Sequence, residues 1–398
     1  VRTLFLNPWE RFIGPNRYLA EMLGSLPGLA AGATIVFDRE TEAADEYRHL
    51  GCRVLYTPLA AQVQARLSPG NVFGSLSRHL AGFPSMTRLI AGEAPAVVVS
   101  NSEQIFLGGM VARRLRMPHV KIFHALTFEY RLGGRPALLR RYLKLIAAGA
   151  DRVVAVSETM RGTLLRHGLA PGRVATIPNP IRVDALADRA AEPLPGDLAG
   201  LVGGRFPVIL NAGVLFPTKG QDRLVEALPG VRRAHPEMLC LLAGRTGADG
   251  GMERTGAYAG RLRRRVAELG LDGHVRFLGD VACLPALMRR ADIYVQPSRT
   301  ESFGRAVAEA LCCGTPAVVF DAGAMAETAG PGGMVVADGD IPGLTAAILS
   351  LAADPGRRRA LASAGREHVR ARFDAGGVAR RFAALLEGLA GEGGRGSA

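Results

Sequence analysis

The chain has 398 residues, 48% of them hydrophobic and 21% charged, and a formal net charge of +13. Such a length implies two domains of ordinary size, and such a balance a soluble globular protein with ample core. No apolar run reaches the ~18–20 residues needed to span a bilayer, and the five cysteines (Cys52, Cys240, Cys283, Cys312 and Cys313) contain no C-x-x-C pair, which argues against a zinc site or a disulfide framework.

In chain order, Val1–Leu6 lacks the basic start and long apolar stretch of a secretory signal, and Thr3–Leu6 is expected to be a first strand. Compact apolar runs follow at Thr34–Phe37, Arg53–Tyr56, Ala96–Ser100, Val120–Phe123, Arg152–Val156 and Val174–Ile177. Continuous runs of this kind mark strands covered on both faces. Helical spacing is expected at Arg17–Leu26, Glu103–Arg116, Ala137–Ala148 and Glu158–His167. Residues 183–205 break the rhythm with Glu192-Pro-Leu-Pro-Gly and Gly203-Gly204. Strands are then expected at Val208–Ala212, Met238–Ala243, His274–Leu278, Ile293–Gln296, Ala317–Phe320 and Met334–Val336, with helices between them. The fold class is α/β, with two Rossmann-like doubly wound domains whose ligands bind at the carboxyl ends of the strands. The expected boundaries are 1–182 for the first domain, 183–205 for a linker and 206–375 for the second domain. A helix at 376–390 is expected to pack back toward the first domain, and 391–398 to form a disordered tail.

Charge is uneven. Residues 1–187 hold 23 Lys+Arg against 13 Asp+Glu, and residues 111–182 hold 14 against three. Within them, Arg131-Leu-Gly-Gly-Arg135 through Arg140-Arg141-Tyr142-Leu-Lys144-Leu-Ile is basic and amphipathic. An anionic membrane surface suits that stretch; a solvated helix face is the other reading. Nucleic acid is not expected, because no aromatic-rich binding motif accompanies the charge.

The chemistry concentrates in Pro297-Ser-Arg-Thr-Glu301-Ser302-Phe303-Gly304-Arg-Ala-Val-Ala-Glu309-Ala. A strand, a short loop and a helix beginning near Gly304 would aim unsatisfied backbone N–H groups and the positive end of a helix dipole at a diphosphate. Eight residues separate the two glutamates, roughly 12 Å at ~1.5 Å per residue. One carboxylate before the helix and one within it could bracket a nucleotide sugar, accepting hydrogen bonds from its hydroxyls.

This segment resembles the donor signature of the family 4 retaining glycosyltransferases: Glu, seven residues, Glu, with Phe-Gly two residues after the first Glu. The following Gly314-Thr-Pro316 fits as well. The resemblance implies GT-B architecture, with two Rossmann-like domains facing across a cleft. It implies Glu301 on the transferred sugar and Glu309 on the ribose, with Ser302, Phe303 and Gly304 around the diphosphate. Ala212-Gly-Val214-Leu-Phe-Pro-Thr-Lys219-Gly is similar to the family's phosphate loop, with Lys219 as its cation and Val214 where Arg is usual; Arg245 is a candidate substitute. Gly14-Pro-Asn-Arg stands in place of the family's glycine loop, although a plain Pro-Asn turn fits equally. His124, at a strand's carboxyl end, is either a satisfied structural residue or the family's sugar-contacting His.

The implied reaction is retaining sugar transfer from a nucleoside-diphosphate-sugar to a glycan or lipid-linked acceptor. His124, Lys219 and Glu301 are the catalytic candidates. No cofactor is expected, nor a metal held by an Asp-x-Asp clamp. The expected place is cytoplasmic, peripheral on the inner membrane face. Alternatives are a GT-B sugar-nucleotide epimerase or phosphorylase, which a donor-only incubation would reveal, and a catalytically silent sugar-nucleotide-binding subunit.

Overall fold

A computed structural model describes residues 1–9, 14–59, 69–125, 136–245 and 253–395. It divides into two compact units, Val1–Pro180 with Ala375–Ala398, and Ile181–Asp374.

The first unit has a parallel sheet of β1 (Thr3–Leu6), β2 (Ala33–Phe37), β3 (Arg53–Tyr56), β4 (Val97–Ser100), β5 (His119–Phe123), β6 (Arg152–Ala155) and β7 (Val174–Thr176), in the order β3-β2-β1-β4-β5-β6-β7. β1 pairs with β2 on one side and β4 on the other, Thr3 standing opposite both Ala33 and Val97. All residues of β1, β4 and β5 are buried, as strands covered by helices on both faces must be. Ser157 caps the helix Glu158–Arg166 by accepting from the Met160 N–H at 3.1 Å, which gives Ala155-Val-Ser157-Glu158 a structural purpose. The C-terminal helix Ala375–Arg395 belongs to this unit, with the Phe382 ring 6.3 Å from that of Phe5.

The second unit repeats the plan with β8 (Val208–Ala212), β9 (Leu239–Ala243), β10 (Val275–Gly279), β11 (Ile293–Gln296), β12 (Ala317–Phe320) and β13 (Gly333–Val336), ordered β10-β9-β8-β11-β12-β13 and parallel throughout. Its core gathers Ile209, Leu228, Leu242, Ile293, Val318 and Ile348, among others. The expected two doubly wound α/β sheets are therefore present.

Three expectations need correction. Residues 183–205, expected as a linker with a helical stretch at Ala185–Arg189, hold that helix at Val183–Ala191 and a further one at Gly196–Val202, and Val183, Ala190 and Val202 are buried. The stretch expected as a tail is helical as far as Arg395, and 396–398 lie outside the described residues. A helix at Pro69–Glu93 was not anticipated, because Gly70, Gly74, Gly82 and Pro84 give it the composition of a loop.

Candidate active site

In each sheet the chain reverses direction beside its first strand, between β1 and β4 and between β8 and β11. Loops leaving the carboxyl ends of those strands diverge there and open a crevice. The second unit's crevice is flanked by the loop after Ala212 and the loop after Gln296. These are the two segments singled out for donor phosphate and sugar.

The fold brings them into contact. Lys219 Nζ lies 2.5 Å from Glu301 Oε1, with side chains 32% and 15% exposed. Glu301 Oε1 also accepts from Ser298 Oγ (3.2 Å), which accepts from Gln296 Nε2 (2.8 Å). Gln296 Oε1 is 2.6 Å from the Tyr294 hydroxyl, and that hydroxyl accepts from the Ala212 N–H at 3.4 Å. A buried polar chain thus runs from β8 through β11 to Glu301. Gly304 caps the helix Arg305–Cys312 with φ +90°, a left-handed conformation that favours glycine, and as a glycine it brings no side-chain acceptor to the first turn. Glu309, on that helix, accepts from Arg305 Nε at 2.8 Å.

Phe303 stands at the helix start with its side chain turned inward. Its ring is buried and packs edge-on against Phe373 at 4.9 Å, and its carbonyl accepts from Thr328 Oγ1. It supports the loop from behind. Ser302 is half-buried on the same loop. Arg245 lies beside the position of the missing Arg, since the Leu215 N–H donates to its carbonyl at 3.1 Å. Its guanidinium pairs with Asp280 at 2.5 Å. Val214 is 37% exposed.

An Asp-x-Asp string does occur, at Asp338-Gly339-Asp340. Its carboxylates are committed elsewhere. Asp338 Oδ1 accepts from Arg223 Nη1 at 2.6 Å, and Asp340 Oδ1 caps the helix Ile341–Ala353 through the Gly343 N–H at 2.9 Å.

In the first unit, His124 follows β5. Its Nε2 is 2.7 Å from Asn101 Oδ1, and its ring meets Tyr18 edge-on at 5.0 Å. Asn101 Nδ2 donates to Asn7 Oδ1 (3.2 Å) and Pro15 O (3.3 Å), so its oxygen faces the imidazole. With the amide assigned that way, His124 carries its proton on Nε2 and leaves Nδ1 as an acceptor. Asn16 Oδ1 accepts from Asn7 Nδ2 (2.6 Å) and from the Tyr47 hydroxyl (3.0 Å). Burial pushes His124 down to about 3 and the neighbouring Glu103 carboxyl up to about 7. Gly14 begins the helix Gly14–Gly24, and a Cβ there would meet nothing within 4 Å. Asn16, two residues on, is the tightly held member of that turn. Asn7 and Asn101 were missed by sequence reasoning; their one signal is that each directly follows a strand.

Two family models match this chain: a glycosyl transferase 4-like domain over residues 14–180 and glycosyl transferases group 1 over 201–368. A GDP-mannose-dependent alpha-(1-6)-phosphatidylinositol monomannoside mannosyltransferase of Mycolicibacterium smegmatis is 27% identical over 94% of this chain and 95% of its own length. The lipopolysaccharide core biosynthesis mannosyltransferase LpcC of Rhizobium leguminosarum bv. viciae is 31% identical over 71% of this chain and 76% of its own. The chain belongs to the glycosyl transferases group 1 family. This glycosyltransferase also shares its GT-B fold with the Anabaena protein HepE, solved with UDP-glucose, at a TM-score of 0.78 and 22% identity over 97% of this chain and 99% of that one.

Proposed function

We propose that this glycosyltransferase moves a sugar from a nucleoside diphosphate donor to a lipid-linked glycan acceptor, with retention at the anomeric carbon and without a metal. The observation that carries the reading is the meeting of Lys219 and Glu301 at the second unit's switch point, beside a helix start whose cap residue is glycine. Binding the donor would separate that pair. Lys219 and the helix N-terminus would take the diphosphate charge, and Glu301 the hydroxyls of the transferred sugar. Glu309 would accept from the ribose diol alongside Arg305. In the transfer, the bond from the anomeric carbon to the leaving phosphate oxygen breaks. The acceptor oxygen bonds to the same face of that carbon, and its proton passes to the leaving phosphate. His124 Nδ1 would accept from a sugar hydroxyl.

The names of the mannosyltransferase relatives, for a phosphatidylinositol mannoside and a lipopolysaccharide core, support a lipid-linked acceptor. The helix Pro136–Ala147 supports a membrane-facing role. Leu139, Leu143 and Ile146 are buried, while Leu138 and Leu145 are 42% and 62% exposed beside exposed Arg140, Arg141 and Lys144. A face both cationic and apolar fits an anionic lipid surface, and so a peripheral place on the cytoplasmic side of a membrane. Among the described residues, no helix is long and apolar enough to cross one.

The test is a kinetic comparison with GDP-mannose, UDP-glucose and ADP-glucose as donors. Glu309→Ala is expected to raise donor KM about tenfold with kcat little changed. Lys219→Ala is expected to lower kcat by about 10²-fold or more, the scale of losing one group that stabilises transition-state charge. Parental kinetics in both variants would overturn the site assignment.

A further inference from the structure

The loops that carry Lys219 and Glu301 are joined a second time, by a residue that no part of the proposed chemistry uses. Arg299 lies two positions before Glu301. Its Nη1 donates to Pro217 O at 2.6 Å and to Asp222 Oδ1 at 2.9 Å, and its Nη2 to Asp222 Oδ2 at 2.6 Å. Its backbone N–H donates to Thr218 O at 2.8 Å. The partners Pro217, Thr218 and Asp222 bracket Lys219. Asp222 is held in turn by the helix Glu253–Glu268, whose Tyr258 hydroxyl donates to Oδ1 at 2.7 Å. Burial alone would raise the Asp222 carboxyl, but the hydrogen bonds from Arg299 and Tyr258 outweigh it and hold the group below its usual range. The arrangement is a bidentate guanidinium–carboxylate fork with a third bond to a carbonyl, and it is only partly exposed, at 29% and 39%. Such forks fix geometry as well as charge.

The two cross-links differ in kind. Lys219–Glu301 is a single contact between groups that the proposed chemistry needs free for the donor. Arg299–Asp222 has no such competing duty, and Arg299 engages the backbone just before the lysine and the Asp222 carboxylate just after it. We propose that Arg299, anchored on Asp222, is a positioning residue that keeps Lys219 aimed at the donor diphosphate once donor binding has parted Lys219 from Glu301. A lysine stem has four rotatable bonds, so its ammonium is placed only as well as its backbone is. Arg299 serves by pinning the Pro217–Lys219 turn. This rests on the proposed role of Lys219.

The experiment is a double-mutant cycle on the full chain. It uses the release of nucleoside diphosphate from GDP-mannose or UDP-glucose, whichever the parent turns over. Arg299→Ala is expected to lower kcat about tenfold or more, with donor KM within about threefold. Arg299→Lys, which keeps the charge and loses the fork, should not restore it. In a Lys219→Ala background, Arg299→Ala should change kcat less than about twofold, because the residue acts through the lysine. Asp222→Asn, which keeps the shape of the side chain, should reproduce the Arg299→Ala effect and serves if Arg299→Ala does not fold. Equal losses in both backgrounds, or parental kcat in Arg299→Ala and Asp222→Asn, would overturn the proposal. A Lys219→Ala variant with parental kinetics would instead sink the site assignment on which it rests.

Discussion

At the scale of single residues, the first unit holds several ionisable groups away from water. Burial brings His119 and His124 down to about 3 and lifts Glu103 to about 7. For the histidines, the unfolded chain binds protons below about pH 6.5 that the folded chain refuses until about pH 3. The stability they contribute is complete above 6.5 and is lost as pH falls through that window. Glu103 works in the opposite sense. Its folded carboxyl keeps a proton that the unfolded chain releases above about 4.5, so its contribution is lost as pH rises toward 7. Two histidines oppose one glutamate between pH 6.5 and 4.5, and the melting temperature is expected to fall on acidification through that range. Glu103→Gln should steepen the fall, and His124→Asn should flatten it. Melting curves at half-unit intervals of pH read both slopes; an unchanged slope in His124→Asn would contradict an imidazole held neutral in the folded chain.

Among the elements, the loop from Pro297 to Gly304 depends on backbone crowding. Gly323, which follows β12, has φ +63°, and a Cβ there would lie 2.2 Å from Glu301 O and 3.0 Å from Glu301 N. The Ala324 N–H donates to the same Glu301 carbonyl at 2.9 Å. Only glycine lets this turn support the Glu301 backbone so closely. Gly323→Ala is therefore expected to cost about 1–3 kcal/mol of stability and to raise donor KM by shifting Glu301. Gly14→Ala is the matched control, expected to melt within about a degree of the parent because its Cβ meets nothing. If the two variants melt alike, the loop does not depend on Gly323.

Across the whole molecule, the +13 charge is concentrated in the N-terminal half, where the helix Pro136–Ala147 exposes leucines among cations. If that face meets a membrane, flotation of the full chain should recover it with vesicles containing phosphatidylglycerol and not with phosphatidylcholine alone. Recovery should fall as salt shortens the reach of the charges. Leu145→Ser should weaken it with no change in melting temperature. Binding that ignores lipid charge, or none at all, would set the membrane role aside.

What the sequence determined by itself was whatever is written in short range. Both sheets were legible because parallel strands buried on two faces are continuous apolar runs such as Val97–Ser100 and Leu239–Ala243. The donor segment was legible because its loop, helix start and two glutamates fall between Pro297 and Glu309. The helices at Pro69–Glu93 and Gly196–Val202 were not, because glycine and proline hide a helix whose stability comes from packing. Only tertiary structure decided which groups meet. Strand order sets β8 beside β11, and this joins Lys219 to Glu301, 82 residues apart, and Arg299 to Asp222, 77 residues apart. The same reversal sets β1 beside β4, bringing Asn7 to Asn101, which holds His124. No local pattern encodes such pairs. They follow from the crossing of the chain at each switch point.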